Sequence, residues 1–348
     1  MVSLLVRHQL RAGHHVGVAS LYDPMGSWIE AQLRASGAEL FFLGKRPGLD
    51  VRMIPRVARV LKRFAPDLLH THMQVLHYAL PARACRRCLV VHTMHTGAAR
   101  DAPDWPTRLL QRLAFRTCVV PVAIGRGVAE SIREVYGFEP RHVIPNGIPV
   151  AEYAAAADPA EVRASLALPA AAPLFVCVGQ LWPVKNHAGL LRAFASDRLA
   201  AAGAHLLLVG DGALRGELER QAEALGVAGR VRFLGVRTDV PRLLSAADVF
   251  VLASSMEGNP LSVMEAMAAG RPVIATAVGC VPELVTDGAG ALVPPGDESA
   301  LEAAMYAFAS DPGAARAAGA EAARVALERF DASRMATAYD RLYSEITA

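Results

Sequence analysis

Two glutamates, Glu257 and Glu265, enclose a seven-residue stretch whose residue types suit the binding of an anion. The stretch opens with Gly258-Asn259-Pro260-Leu261, where a predicted buried strand ends and a predicted helix begins. Asn259 suits the N-cap of that helix and Pro260 its first residue, while Gly258 lets a ligand approach the backbone. Because the first amides of a helix and its dipole favour negative charge, the turn predicts an anion site with a carboxylate on each side.

The spacing of the two glutamates argues against glycoside hydrolysis. A turn followed by helix places Glu257 and Glu265 about 10 Å apart or more. Retaining glycosidases hold their two carboxyl groups about 5 Å apart, and inverting enzymes up to about 9.5 Å. We therefore expect each carboxylate to bind hydroxyl groups at one end of an extended ligand with an anionic centre. A nucleoside-diphosphate sugar has this arrangement of groups.

A second contact to the same anion is predicted in the turn from Gly179 to His187, which follows another predicted strand. Lys185 in this turn would bring a compact positive charge to a diphosphate, although a lysine taken alone is also compatible with a simple surface position. Gly210-Asp211-Gly212 forms a further glycine-containing turn between a strand and a helix.

Alternating strands and helices must position these residues, and such alternation is typical of parallel sheets. The length of 348 residues fits two domains. The break at Pro145–Pro149 separates a first domain, residues 1–150, from a second, residues 151–330. A linker with one short helix is predicted after the break. Residues 331–348 are predicted to form a helix that packs back on the first domain. We expect an α/β fold of two doubly wound Rossmann-like domains facing across a cleft, with ligands at the carboxyl ends of the strands. Beyond a helix over Met1–Ala12, strands are predicted at His15–Ser20, Leu40–Leu43, Leu68–His72, Leu89–Met94, Val119–Ile124, His142–Ile144, Leu174–Val178, Ala204–Val209, Val231–Leu234, Val249–Leu252, Pro272–Thr276 and Ala291–Val293.

Charge is distributed unevenly along the chain. The first 150 residues contain 20 Lys and Arg against 10 Asp and Glu, and the remainder contains 16 against 23. A basic first domain indicates an anionic partner, such as a phospholipid surface or a polyprenyl-phosphate acceptor. Nucleic acid would also fit the charge, but no nucleic-acid-binding motif accompanies it, so we expect none as a partner. No apolar run reaches the roughly 18 residues that span a bilayer, and we expect a cytoplasmic protein with peripheral contact to the inner face of an anionic membrane.

The cysteines and two of the histidines offer weaker signals. Five scattered cysteines do not indicate a disulfide framework. Cys85-Arg86-Arg87-Cys88 is a single C-x-x-C, which we interpret as two half-buried thiols at a helix end rather than a zinc or redox site. His70 and His72 share one face of a strand, and we expect them to line the cleft or pack rather than to bind a metal.

The segment from Glu257 to Ala275 resembles the Glu-seven-Glu motif of the retaining glycosyltransferases of family four, which have the GT-B fold. Val178–His187 is similar to the family's phosphate-binding lysine turn, Leu207–Leu214 to its Val-Gly-Asp-Gly turn and Val143–Ile148 to its interdomain crossover. Further similarity lies at Gly279–Val285, Gly288 and Pro295–Asp297. The resemblance covers nearly the whole chain, and the motifs together are highly specific.

The resemblance implies a retaining transfer of a sugar from a nucleoside-diphosphate donor to a hydroxyl acceptor, in cell-surface polysaccharide or glycolipid biosynthesis. The implied catalytic residues are Glu257, Lys185 and His95, which lies in Thr93-Met94-His95-Thr96 at a predicted strand end. No obligatory metal or cofactor is implied, and a lipid-linked saccharide is the expected acceptor. The implied donor-binding residues are Gly179, Gln180, Lys185, Gly210, Gly212, Gly235, Val236, Arg237, Glu257, Gly258, Asn259, Pro260, Leu261 and Glu265.

The chain departs from the family pattern at two places. Gln180 stands where many relatives have an arginine, so either the charge of the diphosphate is neutralised less fully here, or Arg237 or a first-domain group compensates. In the family, a strand, a glycine-rich loop and a helix precede a Gly-His-x-Val turn, but here Gly13-His14-His15-Val16 follows only the predicted helix Met1–Ala12. The family's first strand and glycine-rich loop are therefore not in this sequence, and we expect a true start about 15–20 residues upstream.

Four other classes of protein are alternatives to a transferase. A nicotinamide oxidoreductase would need glycine at Arg215 to complete G-x-G-x-x-G, and an acidic residue after Val231–Leu234. A phosphorylase would need a lysine environment for pyridoxal phosphate, which is not identifiable. A GT-B-fold sugar-nucleotide epimerase, or a catalytically impaired partner subunit that binds a sugar nucleotide or lipid, stays as an alternative.

Overall fold

The computed structural model describes residues 1–84, 88–154, 157–286 and 288–347. The chain forms two compact units: unit 1 consists of Met1–Gly147 with Ala332–Ala348, and unit 2 of Ile148–Asp331. Both are built of parallel strands connected by helices. The hypothesis about Cys85 and Cys88 involves a residue outside the described ranges, since Cys85 is not among them.

Twelve strands and eighteen helices follow one another along the described residues. The strands are β1 Gly17–Ser20, β2 Glu39–Phe42, β3 Leu68–His72, β4 Leu89–Met94, β5 Val120–Ala123, β6 His142–Val143, β7 Leu174–Val178, β8 His205–Val209, β9 Val231–Gly235, β10 Val249–Leu252, β11 Val273–Thr276 and β12 Gly290–Val293. The helices are α1 Val2–Arg11, α2 Trp28–Ser36, α3 Met53–Phe64, α4 Leu76–Arg83, α5 Ala98–Asp101, α6 Trp105–Thr117, α7 Arg126–Tyr136, α8 Val150–Ala154, α9 Pro159–Ser165, α10 His187–Phe194, α11 Asp197–Ala201, α12 Arg215–Ala224, α13 Val240–Ala246, α14 Leu261–Ala268, α15 Val281–Leu284, α16 Glu298–Ser310, α17 Pro312–Arg329 and α18 Ala332–Thr347.

Unit 2 has one parallel six-stranded sheet in the order β12-β11-β10-β7-β8-β9. Its first strand, β7, pairs with β8 on one side and with β10 on the other. The order of strands therefore reverses between β7 and β10, and doubly wound sheets bind their ligands outside the carboxyl ends of the strands at such a reversal.

The buried strand β10 shows why this sheet is central. Phe250 and Leu252 pack into the apolar cluster on one face of the sheet, and Val249 and Val251 pack into the cluster on the other. All four are at most 1% exposed. A strand covered by helices on both faces is apolar at every position rather than at alternate ones, which is why this strand was predictable from an unbroken apolar run.

Unit 1 contains two sheets, β1-β2 and β3-β4-β5-β6, both parallel. The described strands of unit 1 thus form two sheets instead of the single sheet expected of a doubly wound domain. The C-terminal helix α18 packs against α1, and its Tyr339 and Leu342 join Leu5 and Val91 in one buried cluster. Asp340 on α18 also binds His8, with 2.8 Å between Nε2 and Oδ2.

Most predicted elements agree with the structure to within two residues, and the helix predicted over Met1–Ala12 is α1. The prediction of one short helix between the domains was wrong, because two are present, α8 and α9. Asp158 starts the second by accepting a hydrogen bond from the Ala160 amide, and Pro159 suits its first turn. Among the described residues no helix combines the length and the apolarity that crossing a membrane requires.

A close contact between helices gives a test of the packing in unit 2. A Cβ on Gly319 of α17 would lie 2.2 Å from the carbonyl oxygen of Gly270, whereas one on Gly216 of α12 would meet nothing within 4 Å. We expect Gly319→Ala to lower the melting temperature by about 4–8 °C, because backbone atoms must move apart. Gly216→Ala, the matched control, should leave it unchanged or raise it. Equal melting temperatures for the two variants in calorimetry would contradict this packing.

Candidate functional site

Four turns of unit 2 lie together at the carboxyl edge of its sheet and contain the predicted donor-binding residues except Leu261 and Glu265, which lie on α14. They follow β7, β8, β9 and β10. Backbone hydrogen bonds connect them: the Gly179 amide donates to Val209, the Gly210 amide to Gly235 and the Ser255 amide to Val184. The four turns therefore form one bonded rim, and residues far apart in sequence are brought to a single place.

Lys185 and Glu257 are in contact at the reversal of strand order. Lys185 Nζ lies 2.6 Å from Glu257 Oε1. Ser254, which is fully buried, donates its hydroxyl to the same oxygen at 2.6 Å. The Lys185 side chain is 20% exposed and that of Glu257 8%. A charge-assisted contact with so little solvent is strong and directional, so the site presents a positive and a negative group fixed against each other.

The turn after β7 fixes the position of Lys185. A single 3-10 turn, Pro183–Lys185, is followed by Asn186 in the left-handed region at φ 48°. The Asn186 side chain accepts a hydrogen bond from the Gly189 amide and so begins α10. The aliphatic part of Lys185 passes over Gly179, where an added Cβ would lie 3.6 Å from its Cε. Lys185 is thus held between the start of α10 and the backbone of Gly179, which has no side chain.

Glycines allow the turns to approach one another at backbone distance. Gly210 has φ 137°, and a Cβ there would lie 2.0 Å from the Gly179 carbonyl oxygen. Gly279 has φ 55°, and its Cβ would lie 1.9 Å from the Glu257 carbonyl oxygen. The Cys280 amide also donates to the Gly258 carbonyl at 3.0 Å. The segment after β11 therefore holds the Glu257–Gly258 peptide in place.

Glu265 lies in the second turn of α14 and is bound by a residue that the sequence did not indicate. The hydroxyl of Tyr153, on α8, donates a hydrogen bond to its carboxylate. Burial raises the pKa of Glu265 above its usual value, and the bond from Tyr153 opposes that rise. Tyr153 lies in the Ala-rich segment that is predicted as a linker with one short helix, and only the fold brings it to α14.

The structure corrects the predicted start of α14. Its N-cap is Pro260, not Asn259, and Leu261 rather than Pro260 is its first residue. Pro260 has ψ 111° and no side-chain hydrogen bond to the helix. Because proline has neither a capping oxygen nor an amide hydrogen, the amides of the first turn are not capped by their N-cap side chain.

The charge expected to compensate for Gln180 is otherwise engaged. Arg237 donates from Nε and Nη2 to the two carboxylate oxygens of Asp239, both at 2.7 Å. Gln180 itself is exposed, and Val236, which precedes Arg237 in the turn after β9, is 79% exposed. Lys185 is therefore the cation that the structure places at this rim beside Glu257, while Arg237 forms a local pair.

Histidines cluster at the carboxyl ends of β3 and β4 in unit 1. His95 follows β4, and its Nε2 lies 3.1 Å from Nδ1 of His72 at the end of β3. His70 packs its ring on that of His72, with centroids 4.1 Å apart. Burial lowers the pKa of His70 to about 3 and of His95 to about 4, and the pKa of His72 falls in the same direction. The three rings are neutral at physiological pH.

The C-terminal helix supports this histidine cluster, as the sequence alone did not reveal. Tyr343 OH lies 2.6 Å from His70 Nδ1, and Thr93 Oγ1 lies 2.7 Å from His70 Nε2. Tyr339 OH is 2.8 Å from the same threonine oxygen. The interpretation of His70 and His72 as packing residues agrees with these contacts. No group of three or more potential metal ligands occurs among the residues that the structure describes.

Both halves of the chain match models of known glycosyltransferases. Residues 1–152 match the model described as Glycosyltransferase Family 4, and residues 172–311 match that described as Glycosyl transferases group 1.

Curated proteins and solved structures resemble the chain over most of its length. It is 30% identical over 293 residues to the lipopolysaccharide core biosynthesis glycosyltransferase LpsD of Rhizobium meliloti, with 83% of this chain and 78% of that protein aligned. It is 29% identical to the UDP-Gal:alpha-D-GlcNAc-diphosphoundecaprenol alpha-1,3-galactosyltransferase of Escherichia coli, over 65% of this chain and 61% of that enzyme's length. Anabaena Alr3699/HepE in complex with UDP superposes with TM-score 0.84 at 23% identity, covering 99% and 96% of the two chains.

The buried neutral histidines predict that unit 1 loses stability in acid. Their folded pKa values lie below the ordinary value of 6.5, so the unfolded chain binds protons that the folded chain does not. Stability should therefore fall as the pH drops from about 6.5 to about 4, by up to about 1.4 kcal/mol per pH unit for each histidine. Thermal melts across this range measure the slope.

Two substitutions test that origin of the acid sensitivity. His95→Gln should flatten the dependence of melting temperature on pH, whereas His14→Gln, at an exposed position, should not change it. A slope that both variants share with the parent protein would show that other groups cause the loss.

Proposed function

The chain belongs to glycosyltransferase family 4 and has the GT-B fold, and from that premise we propose that it transfers a sugar from a nucleoside diphosphate to a hydroxyl group with retention of anomeric configuration. The observation that supports this most directly is the contact of Lys185 with Glu257 at the reversal of strand order between β7 and β10. A cation for a diphosphate and a carboxylate for sugar hydroxyls stand side by side there.

In this proposal the bound donor competes for groups that are already paired with each other. Lys185 would form an ion pair with the diphosphate, and a hydroxyl of the transferred sugar would donate a hydrogen bond to Glu257. Ser254, bound to Glu257 at 2.6 Å, would keep the carboxylate oriented while the lysine shifts. Charge stabilisation at a fixed position is the largest single contribution in many enzymes.

The reaction we propose breaks the bond between the anomeric carbon and the diphosphate oxygen and forms one to the acceptor oxygen on the same face. Lys185 stabilises the negative charge that develops on the leaving diphosphate. The acceptor's proton passes to the departing phosphate oxygen, so no nucleophilic side chain is assigned. Positioning of the two substrates then supplies much of the rate enhancement. His95 in unit 1 is carried over from the family resemblance as the third catalytic residue.

The remaining contacts to the donor would come from residues of the four turns and of α14. Glu265 would accept hydrogen bonds from the ribose hydroxyls, and the base would lie at Gly235-Val236-Arg237. Within Gly258–Leu261, the backbone amides of Gly258, Asn259 and Leu261 would donate to sugar and diphosphate, which the uncapped start of α14 favours; Pro260 has no amide hydrogen. Gly179, Gln180, Gly210 and Gly212 would form the opposite side of the diphosphate site.

A lipid-linked saccharide is the acceptor that we propose. The name of the Escherichia coli relative states an acceptor carried on diphosphoundecaprenol, and that of the Rhizobium meliloti relative states a role in lipopolysaccharide core synthesis. The basic first 150 residues fit an acceptor with a phosphate near its lipid. The enzyme would then act at the inner face of a membrane.

Donor binding tests the role of Lys185. A thermal-shift panel of nucleotide sugars identifies the donor first, and calorimetric titration of its nucleoside diphosphate gives the affinity. Lys185→Met should weaken that affinity by more than about tenfold, since a charge-assisted bond is lost. Lys62→Met on α3 is the matched control and should not weaken it. If Lys185→Met binds as the parent does, the proposed diphosphate site is wrong; binding without transfer to any acceptor would favour the non-catalytic partner subunit.

The hydrogen bond from Tyr153 predicts how donor binding depends on pH. Glu265 must be ionised to accept from ribose hydroxyls, and Tyr153 opposes the effect of burial on its pKa. Tyr153→Phe should raise that pKa further, so the loss of donor affinity on acidification should begin at higher pH. Titrations between about pH 5 and pH 8 locate the midpoint. Tyr306→Phe is the control, and an equal midpoint in both variants would exclude the role.

A further inference from the structure

Three neighbouring helices of unit 1 are rich in basic residues and contain no acidic ones. Helix α4 packs against both α3 and α6. Together α3, α4 and α6 contain eight Lys and Arg, and no Asp or Glu: Arg56, Arg59, Lys62, Arg63, Arg83, Arg108, Arg112 and Arg116. We call the outward side of these helices the α3-α4-α6 face.

Several of these cations are available to a partner. Arg56 donates to the Leu43 and Gly44 carbonyls and Arg63 pairs with Glu39, so both have local roles. By contrast, Arg59, Lys62, Arg112 and Arg116 are exposed. None of these four forms an ion pair with another described residue.

Helix α6 adds an apolar stripe to the same face. Gln111, Ala114 and Phe115 on its inner side are buried. Its outer side presents Trp105, 73% exposed, with Leu109 at 43%, Leu110 at 38% and Leu113 at 56%. Trp105, Leu109 and Leu113 are four residues apart and so lie in one row along the helix.

The start of α6 is firmly fixed, so the stripe is a defined surface. The Asp104 side chain accepts from the Thr107 amide at 2.9 Å, and Arg108 Nε donates to the Ala102 carbonyl at 2.8 Å. The turn before α3 presents Leu49 and Val51, 77% and 65% exposed, and is bound to α4 through the hydroxyl of Tyr78. Apolar side chains therefore occur at both sides of α4.

We propose that the α3-α4-α6 face binds the surface of an anionic phospholipid bilayer, with Trp105, Leu109 and Leu113 in the headgroup–acyl boundary and the arginines on lipid phosphates. A helix with an apolar row, a tryptophan and flanking arginines is suited to lie in that boundary. A free phosphate or a nucleic acid would use the cations but not the apolar row. The inference deepens the proposed function by naming the surface that reaches a lipid-linked acceptor, but its test uses neither donor nor acceptor.

Sedimentation of the full chain with vesicles tests the proposal. The protein should bind vesicles of phosphatidylcholine mixed with phosphatidylglycerol, bind those of phosphatidylcholine alone far more weakly, and lose binding as salt is added. Tryptophan fluorescence should be quenched by lipids brominated near the headgroup, and Trp105→Phe should remove most of that quenching.

Matched variants separate the apolar row from the charges. Leu109→Glu with Leu113→Glu should lower vesicle affinity by at least about tenfold, since an apolar anchor becomes an acidic group. Leu327→Glu, at an exposed position on α17, should leave it unchanged. Arg112→Gln should lower it about fivefold. Melting temperatures show whether each variant is folded.

The outcomes distinguish this inference from the proposed function. Absence of binding to anionic vesicles, or equal loss in Leu327→Glu, overturns the membrane surface, whereas intact donor binding in the same sample leaves the transferase standing. Salt-sensitive binding without quenching by brominated lipids overturns insertion of the apolar row, because the protein then binds the anionic vesicles through charge alone.

Discussion

The reversal of strand order between β7 and β10 is the constraint on which the site of unit 2 depends. Adjacent parallel strands whose connecting helices leave on opposite faces of the sheet must open a crevice at their carboxyl ends. The chain places Lys185 after one of these strands and Glu257 after the other, and they meet at 2.6 Å. Gly210 and Gly279 let the adjoining turns approach at backbone distance, so the topology and the glycines together bring separate segments to one point.

Burial has opposite uses in the two units. In unit 2 each of the two carboxylates receives a hydrogen bond from a neighbour, Glu257 from Ser254 and Glu265 from Tyr153. In unit 1 burial keeps His70 and His95 uncharged. Each ring therefore forms hydrogen bonds with its own neighbours without placing a charge in the interior of the domain. Both arrangements follow from the cost of leaving a charged group without solvent or a partner.

Sequence reasoning located the elements and the predicted site where the signal is local. Strand β10 is an unbroken apolar run, and the Gly258–Leu261 turn combines residue types with defined conformational roles, although Pro260 rather than Asn259 is the N-cap. Contacts between residues that are distant in sequence were not predicted. Nothing near Tyr153 points to Glu265, and nothing near Tyr343 points to His70, because those pairs are made by tertiary packing alone. The division of the unit 1 strands into two sheets was not predicted, because strand patterns do not show which strands pair.

The return of α18 to unit 1 sets an order of events during synthesis. Unit 2 is a continuous segment, Ile148–Asp331, whereas unit 1 includes the last helix of the chain. The core of unit 1 draws Met335, Tyr339 and Leu342 from that helix, so it stays incomplete until α18 has been synthesised. Unit 2 can fold while unit 1 still lacks α18 and exposes the apolar surface that α18 covers. A nascent chain stalled shortly before α18 would therefore be a natural client for chaperones.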